Sequence, residues 1–251
     1  MNEEKFTGKA KIYSKYRPDY PEEFIEYLYS EVGFKDSSTI ADIGSGTGIF
    51  SKHLLLRNSR VIGIEPNDDM RRTAEKDLGQ FTKYTLVKAS AEHTSLPGLS
   101  VDFITVAQAF HWFDRTGFRL ECQRILKSKG KVILVWNSRD NLSELVIEND
   151  KINKSYCPDY TGFSGGTGGE GLEEFADFFK NGMCEYRTFQ SDLSYDKEGF
   201  IGRNLSASYA PKAGTQEYTA YVEELGQLFD EYGSKGELRL PNITKSYIGE
   251  V

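Results

Sequence analysis

Cysteine is scarce in this chain of 251 residues: Cys122, Cys157 and Cys184 stand far apart. With no partner at metal-ligand spacing they exclude a disulfide framework and a zinc site, so no metal is expected. Positive charge is also in short supply. Lys and Arg number 31 against 38 Asp and Glu, a net charge of -7. A nucleic-acid partner wants a basic face, and none is expected here. No apolar run approaches the roughly 20 residues that span a bilayer, so no membrane partner is expected either. The first residues, MNEEKFTGKAK, are too polar for a secretory signal, which makes a cytoplasmic location the expectation. No internal repeat is present, and the length suits one α/β domain, residues 1–251, acting as a monomer or homodimer.

What is there begins at Thr39 with TIADIGSGTGI. A short apolar run ends in Asp42, and Gly44, Gly46 and Gly48 follow at alternate positions before the helix-forming run from Ile49 to Leu56. A buried strand turning sharply into a helix needs glycine where φ is positive or where a ligand meets backbone. That is a nucleotide-type site at the carboxyl end of a first strand. A pyrophosphate loop reads G-x-G-x-x-G and avoids carboxylates, which disfavours a nucleotide-dependent dehydrogenase. Asp42 suits instead a ligand end that carries an ammonium and a sulfonium, as S-adenosylmethionine (SAM) does. The second apolar run, Val61 to Ile64, ends in Glu65, whose carboxylate is able to accept from both vicinal ribose hydroxyls. The bland alternative is that Asp42 and Glu65 cap turns.

The stretch from Asp42 to Gly48, taken with Glu65, resembles the class I SAM-dependent methyltransferases. YSKYRPDYP at 13–21, SAEHTSLP at 90–97 and AQAFHWFD at 107–114 narrow the likeness to their small-molecule branch, the group of trans-aconitate methyltransferase. The resemblance covers residues 5 to 140 well and implies a Rossmann-like, doubly wound, seven-stranded and mostly parallel α/β sheet with an antiparallel C-terminal edge strand. It implies SAM as cofactor, S-adenosylhomocysteine as product and a small-molecule acceptor. Asp42, Gly44, Ser45, Gly46, Gly48, Glu65 and Pro66 would hold the cofactor, joined by Ser90, Ala91, Glu92 and Gln108. Within an amino-terminal arm and helix, residues 1–33, the arm would fold over SAM. Tyr13 and Arg17 would then lie near its carboxylate, and Tyr16 near the acceptor; packing on the surface is the other reading of that arm.

Several positions keep two readings. Met70, in the first turn of a helix capped by Asn67, suits either the adenine face or the core. Glu92 is either a ligand at the adenine edge or a solvated carboxylate. His111 and Trp112 follow the fourth strand, Val101 to Ala107, where an open parallel sheet binds ligands. His111 is the candidate general base, although a lone histidine is more often structural. Arg139, after a fifth strand Lys131 to Trp136, would meet an anionic substrate or lie on the surface. Residues 140–210 read as a substrate cap or insertion. Its glycine-dense stretch 161–171 is a lid or a connector. Further expectations are a strand Tyr186 to Gln190, helices Ser194 to Asn204 and Gln216 to Tyr232, and an extended run Glu237 to Ile248. The activity expected is methyl transfer to a small molecule, at oxygen by resemblance; a SAM-binding regulator without catalysis would carry the same motifs.

Overall fold

Pro21 starts the first helix of the described residues, α1 (Glu22–Tyr27), which widens into a π turn over Leu28–Val32. Gly33 ends it with φ 103°, a left-handed conformation that glycine adopts without a Cβ clash. The computed structural model describes residues 18–140, 143–163, 175 and 177–251. Strand and helix then alternate: β1 (Thr39–Ile43), α2 (Ile49–Leu56), β2 (Arg60–Ile64), α3 (Asp68–Leu78), β3 (Tyr84–Val87), β4 (Val101–Ala107), α4 (Arg115–Ile125) and β5 (Leu126–Arg139). Asn67 caps α3 by accepting from the Asp69 and Met70 N–H groups, and Asp114 caps α4 through Thr116 and Gly117.

The seven-stranded sheet has the order β3-β2-β1-β4-β5-β9-β6, with β6 at Glu185–Gln190 and β9 at Asn242–Gly249. Successive residues of β5 serve opposite faces. Val132, Leu134 and Trp136 pack with α4, while Ile133 and Val135 pack with α1 and α2. This period of two with both faces covered is why the strand is continuously apolar from Val132 to Trp136. Strand order reverses between β1 and β4, and the glycine loop leaves β1 at that switch point.

The mostly parallel sheet and its antiparallel C-terminal strand agree with the expectation, with one correction of position. β9 lies beside β5, but β6 pairs on its far side and takes the edge. Burial decides this. β9 is buried at most positions, whereas β6 is exposed at every residue except Phe189. Three boundaries also move. The fifth strand, expected from Lys131, starts earlier: Lys127 to Gly130 forms an irregular start of β5 between the Val101–Leu126 and Phe103–Lys131 pairings, with Lys129 at φ 66°. The run Glu237 to Ile248 breaks at Pro241, leaving β8 (Leu238–Leu240) and β9. The helix expected from Ser194 starts later, because Leu193–Tyr195 forms β7 and pairs with β8; the helix α6 is Lys197–Leu205.

A third apolar cluster lies between residues 145 and 240. It joins α5 (Glu144–Tyr156), α6, α7 (Gln216–Tyr232), β7 and β8 around Phe200, Tyr221 and Leu225. The stripe on α7 is therefore core of this upper lobe, not of the sheet. The segment expected as a cap is divided, since Phe175, Phe178, Phe179 and β6 return to the main sheet. Residues 164–171 of the glycine-dense stretch lie outside the described residues.

Candidate functional site

The three glycines of the loop meet three different requirements. Gly44 (φ 67°) passes so close to the segment after β4 that a Cβ would stand 2.6 Å from the Ala109 Cβ. Gly48 (φ 83°) begins α2, and a side chain there would collide with Leu78 of α3. Among the described residues, Gly46 (φ 57°) has no atom beyond its chain neighbours within 4 Å of where a Cβ would stand. Two glycines therefore serve packing, while the middle one presents backbone to open space, as a ligand cradle requires.

The two carboxylates brace this loop from below. Asp42 is 1% exposed. Its Oδ2 accepts from the Ser51 hydroxyl at 2.6 Å and its Oδ1 from the Thr105 hydroxyl at 2.9 Å. Burial nevertheless pushes its pKa up to about 6, with the two hydroxyl bonds acting in opposition. Glu65, also buried, accepts from the Gly46 N–H at 2.9 Å and the Asn67 N–H at 2.8 Å. Burial raises its pKa, against those backbone bonds and the nearby Arg71. A carboxylate oxygen retains further acceptor capacity after one N–H bond, so Glu65 ties loop to helix and is still able to meet a ribose.

A cleft opens over the loop, lined by Asp42, Gly44, Ser45, Gly46 and Gln108 of the expected residues. Gln108 sits at the end of β4 with φ 62°, a strained conformation of the kind found where geometry is over-determined. Residues not foreseen complete the lining: Tyr20 and Phe50, whose rings meet edge to face at 4.9 Å, with Thr47, Asn137 and Arg203. Asn137 is fastened by the Thr244 hydroxyl, which donates to its Oδ1 at 2.6 Å. Tyr20 belongs to the quoted YSKYRPDYP motif and was discoverable there. Arg203 arrives from α6, with no local signal to announce it.

The remaining expected residues lie elsewhere. Met70 is buried at the start of α3, and Pro66 precedes its cap. Glu92 accepts from the Asp114 N–H at 3.0 Å, Ser90 bridges to His93, and Ala91 is in the core below. His111 and Trp112 form a short 3-10 turn, their rings 4.7 Å apart, and neither lines the cleft described here. Arg139 is not on the surface: it is 8% exposed, donates to Asn149 Oδ1 at 2.8 Å and covers the Phe163 ring at 3.9 Å. Tyr13, Tyr16 and Arg17 lie outside the described residues. Among the described residues no cluster of His, Cys, Asp and Glu suits a metal ion. No helix there is long and apolar enough to cross a membrane.

The donor set fits SAM. The open backbone of Gly46, a buried carboxylate below it and the buried Thr47 Oγ1, with no partner of its own, converge on one cleft. Comparison with known proteins agrees. A family described as a methyltransferase domain matches residues 41–134. A Dictyostelium discoideum protein named as a methyltransferase is 37% identical over 135 residues, 54% of this chain and 49% of the relative. The chain spans about half the length of several curated relatives it matches. An uncharacterised methyltransferase-like protein of Schizosaccharomyces pombe is 30% identical over 247 residues, covering 98% of this chain and 94% of the relative. A solved structure from Anaeromyxobacter dehalogenans, described as a type II methyltransferase, shares the fold with a TM-score of 0.65 at 21% identity, over 93% of this chain and 97% of that one. With its glycine loop inside the matched domain and a relative aligned over nearly its whole length, the chain belongs to the class I SAM-dependent methyltransferase family.

Proposed function

We propose that the protein transfers a methyl group from SAM to an oxygen of a small-molecule acceptor. The observation that carries this reading is Asp42, buried beneath an open glycine cradle where a cationic ligand end would neutralise it. Bound SAM supplies an activated methyl: the acceptor oxygen forms the new O–C bond as the C–S bond breaks and its electron pair stays on sulfur. The chain's own residues position and exclude water. The Gly46 backbone and Glu65 hold the nucleoside side, Asp42 balances the positive end, and Tyr20 with Phe50 walls the cleft. No histidine lines the cleft among the described residues, which favours an acceptor oxygen already ionised at neutral pH over one needing a base. His111 then acts through packing or hydrogen bonding.

The lobe built on α5, α6 and α7 supports acceptor choice, since it lends Arg203 to the cleft. A screen of carboxylic acids, phenols and amines for S-adenosylhomocysteine release tests the reading. Release with an acid or phenol, and an O-methyl product by mass spectrometry, is the expected result. SAM binding by calorimetry without turnover of any acceptor would leave only a SAM-binding protein; an N-methyl product would refute the oxygen assignment.

A further inference from the structure

Among the described residues Arg139 is a cation buried without a counter-charge. Its guanidinium is enclosed by Asn149, which accepts from it, and by the face of Phe163. Among the described residues no carboxylate forms an ion pair with it, whereas Arg57, Arg124 and Arg239 each have one. Burying a cation in this way is costly unless something anionic joins it.

Its surroundings add donors rather than acceptors. Asn149, wholly buried, gives its oxygen to Arg139 and leaves its Nδ2 unpartnered. Arg203, which lines the SAM cleft, has a buried Nε without a partner. It is near enough to repel Arg139, and burial and this repulsion together bring the Arg139 pKa down to about 10. Tyr160, Tyr195 and Tyr209 complete the ring; the Tyr195 hydroxyl is buried and unpartnered, while that of Tyr160 donates to Asp150 at 2.7 Å. β5 links the two places, because Asn137 lines the cleft and Arg139 stands two residues further along the same strand.

Building on the methyltransferase reading above, we infer that Arg139 and Arg203 form an anion pocket that holds a carboxylate of the acceptor, apart from the oxygen that is methylated. Two guanidinium groups with an amide and a hydroxyl, all short of acceptors, match a carboxylate's two oxygens. A carboxylate oxygen engaged in this way is a weak nucleophile, so this group is an anchor. The aromatic lining from Phe163, Tyr160 and Tyr209 favours an acceptor with an unsaturated or aromatic body beside that anchor.

The test uses the full chain saturated with S-adenosylhomocysteine, whose binding is first confirmed by calorimetry. Failure there would count against the methyltransferase reading itself. Benzoate and its neutral counterpart benzamide are then titrated at matched ionic strength, with thermal shift and calorimetry as readouts. Benzoate should bind saturably and benzamide at least tenfold more weakly. Arg139→Met should weaken benzoate by roughly ten- to hundredfold, while its own melting temperature stays at or above that of the parent, because an unpaired buried charge has gone. Arg203→Met, at the cleft wall, should weaken benzoate similarly and serves if Arg139→Met does not fold. Equal binding of benzoate and benzamide would overturn the inference. So would benzoate binding left intact in both variants, or a lower melting temperature of Arg139→Met with benzoate binding unchanged. Competition between benzoate and S-adenosylhomocysteine would reassign the pocket to the cofactor carboxylate.

Discussion

The floor of the cleft and the cationic cluster that meets it at Arg203, its roof, are built in opposite ways. The floor is anionic and assembled from neighbours in sequence: Asp42, the glycines and Ser51 lie within ten residues, and Glu65 is at the next strand end. Its carboxylates are each fastened by two donors before any ligand arrives. The roof is cationic and assembled from Arg139, Asn149, Phe163 and Arg203, which come from β5, α5, a connection and α6. It keeps buried donors that no described residue of the lobe satisfies. A cofactor common to a whole family asks for a preorganised backbone site. An acceptor particular to one member asks for exchangeable side chains, and those sit on a lobe with its own apolar core.

The largest effect that would break this division is at Gly46. Gly46→Val should weaken SAM by a hundredfold or more, because the branched side chain fills the cradle and resists φ 57°. The space around it predicts a folded protein with roughly 1–2 kcal/mol of lost stability. Calorimetric affinity equal to the parent would show that the ligand does not touch this backbone. Glu65→Ala comes next. Removing one acceptor frees both the Gly46 and the Asn67 N–H, so a loss of about 1.5–3 kcal/mol per charge-assisted bond to ligand is expected, with added mobility of the loop. Deoxyribose analogues of SAM separate the two causes: they should lose much less affinity for the variant than for the parent.

The floor should also respond to pH in a way the roof does not. Asp42 ionises near 6 when folded, above its ordinary 3.8. The folded state thus holds that proton more tightly, and the free protein should lose stability as pH rises from about 4 to about 6, on the order of 2–3 kcal/mol at most. SAM asks for the charged form, so its affinity should rise over the same range, by about tenfold per pH unit below 6. Asp42→Asn should flatten both profiles; if the parent already shows flat SAM affinity from pH 5 to 7.5, Asp42 does not face the cationic end.

A smaller change isolates the roof. The Tyr221 hydroxyl donates to Asn153 Oδ1 at 2.6 Å, wholly inside the upper lobe. Tyr221→Phe should lower stability by about 1 kcal/mol in chemical denaturation and leave SAM affinity unaltered. A parallel loss of SAM binding would mean that floor and roof fold as one unit. The smallest effect is expected at His111. With an acceptor already ionised, His111→Gln should change turnover by no more than a few-fold and add no pH limb. A loss of roughly a hundredfold, with disappearance of a limb in the pH–rate profile, would restore it as a general base.

Most of the sheet was legible from local pattern. Ile49–Leu56, Val101–Ala107 and Gln216–Tyr232 fall where the sequence places them, and Asn67 caps its helix as expected. Glycine spacing with Asp42 and Glu65 carried the cofactor class, because those constraints act over a few residues of backbone. Local sequence specifies the chemistry of the floor. The rest comes from packing between distant segments. That β6 and not β9 is outermost depends on pairings of β9 with two strands, of which β5 lies more than a hundred residues away in the chain and β6 more than fifty. Arg139 reads as a surface arginine until Phe163 and Asn149 close over it. Arg203 carries no motif at all, since a guanidinium on an amphipathic helix gains its meaning from the strand ends it is folded against.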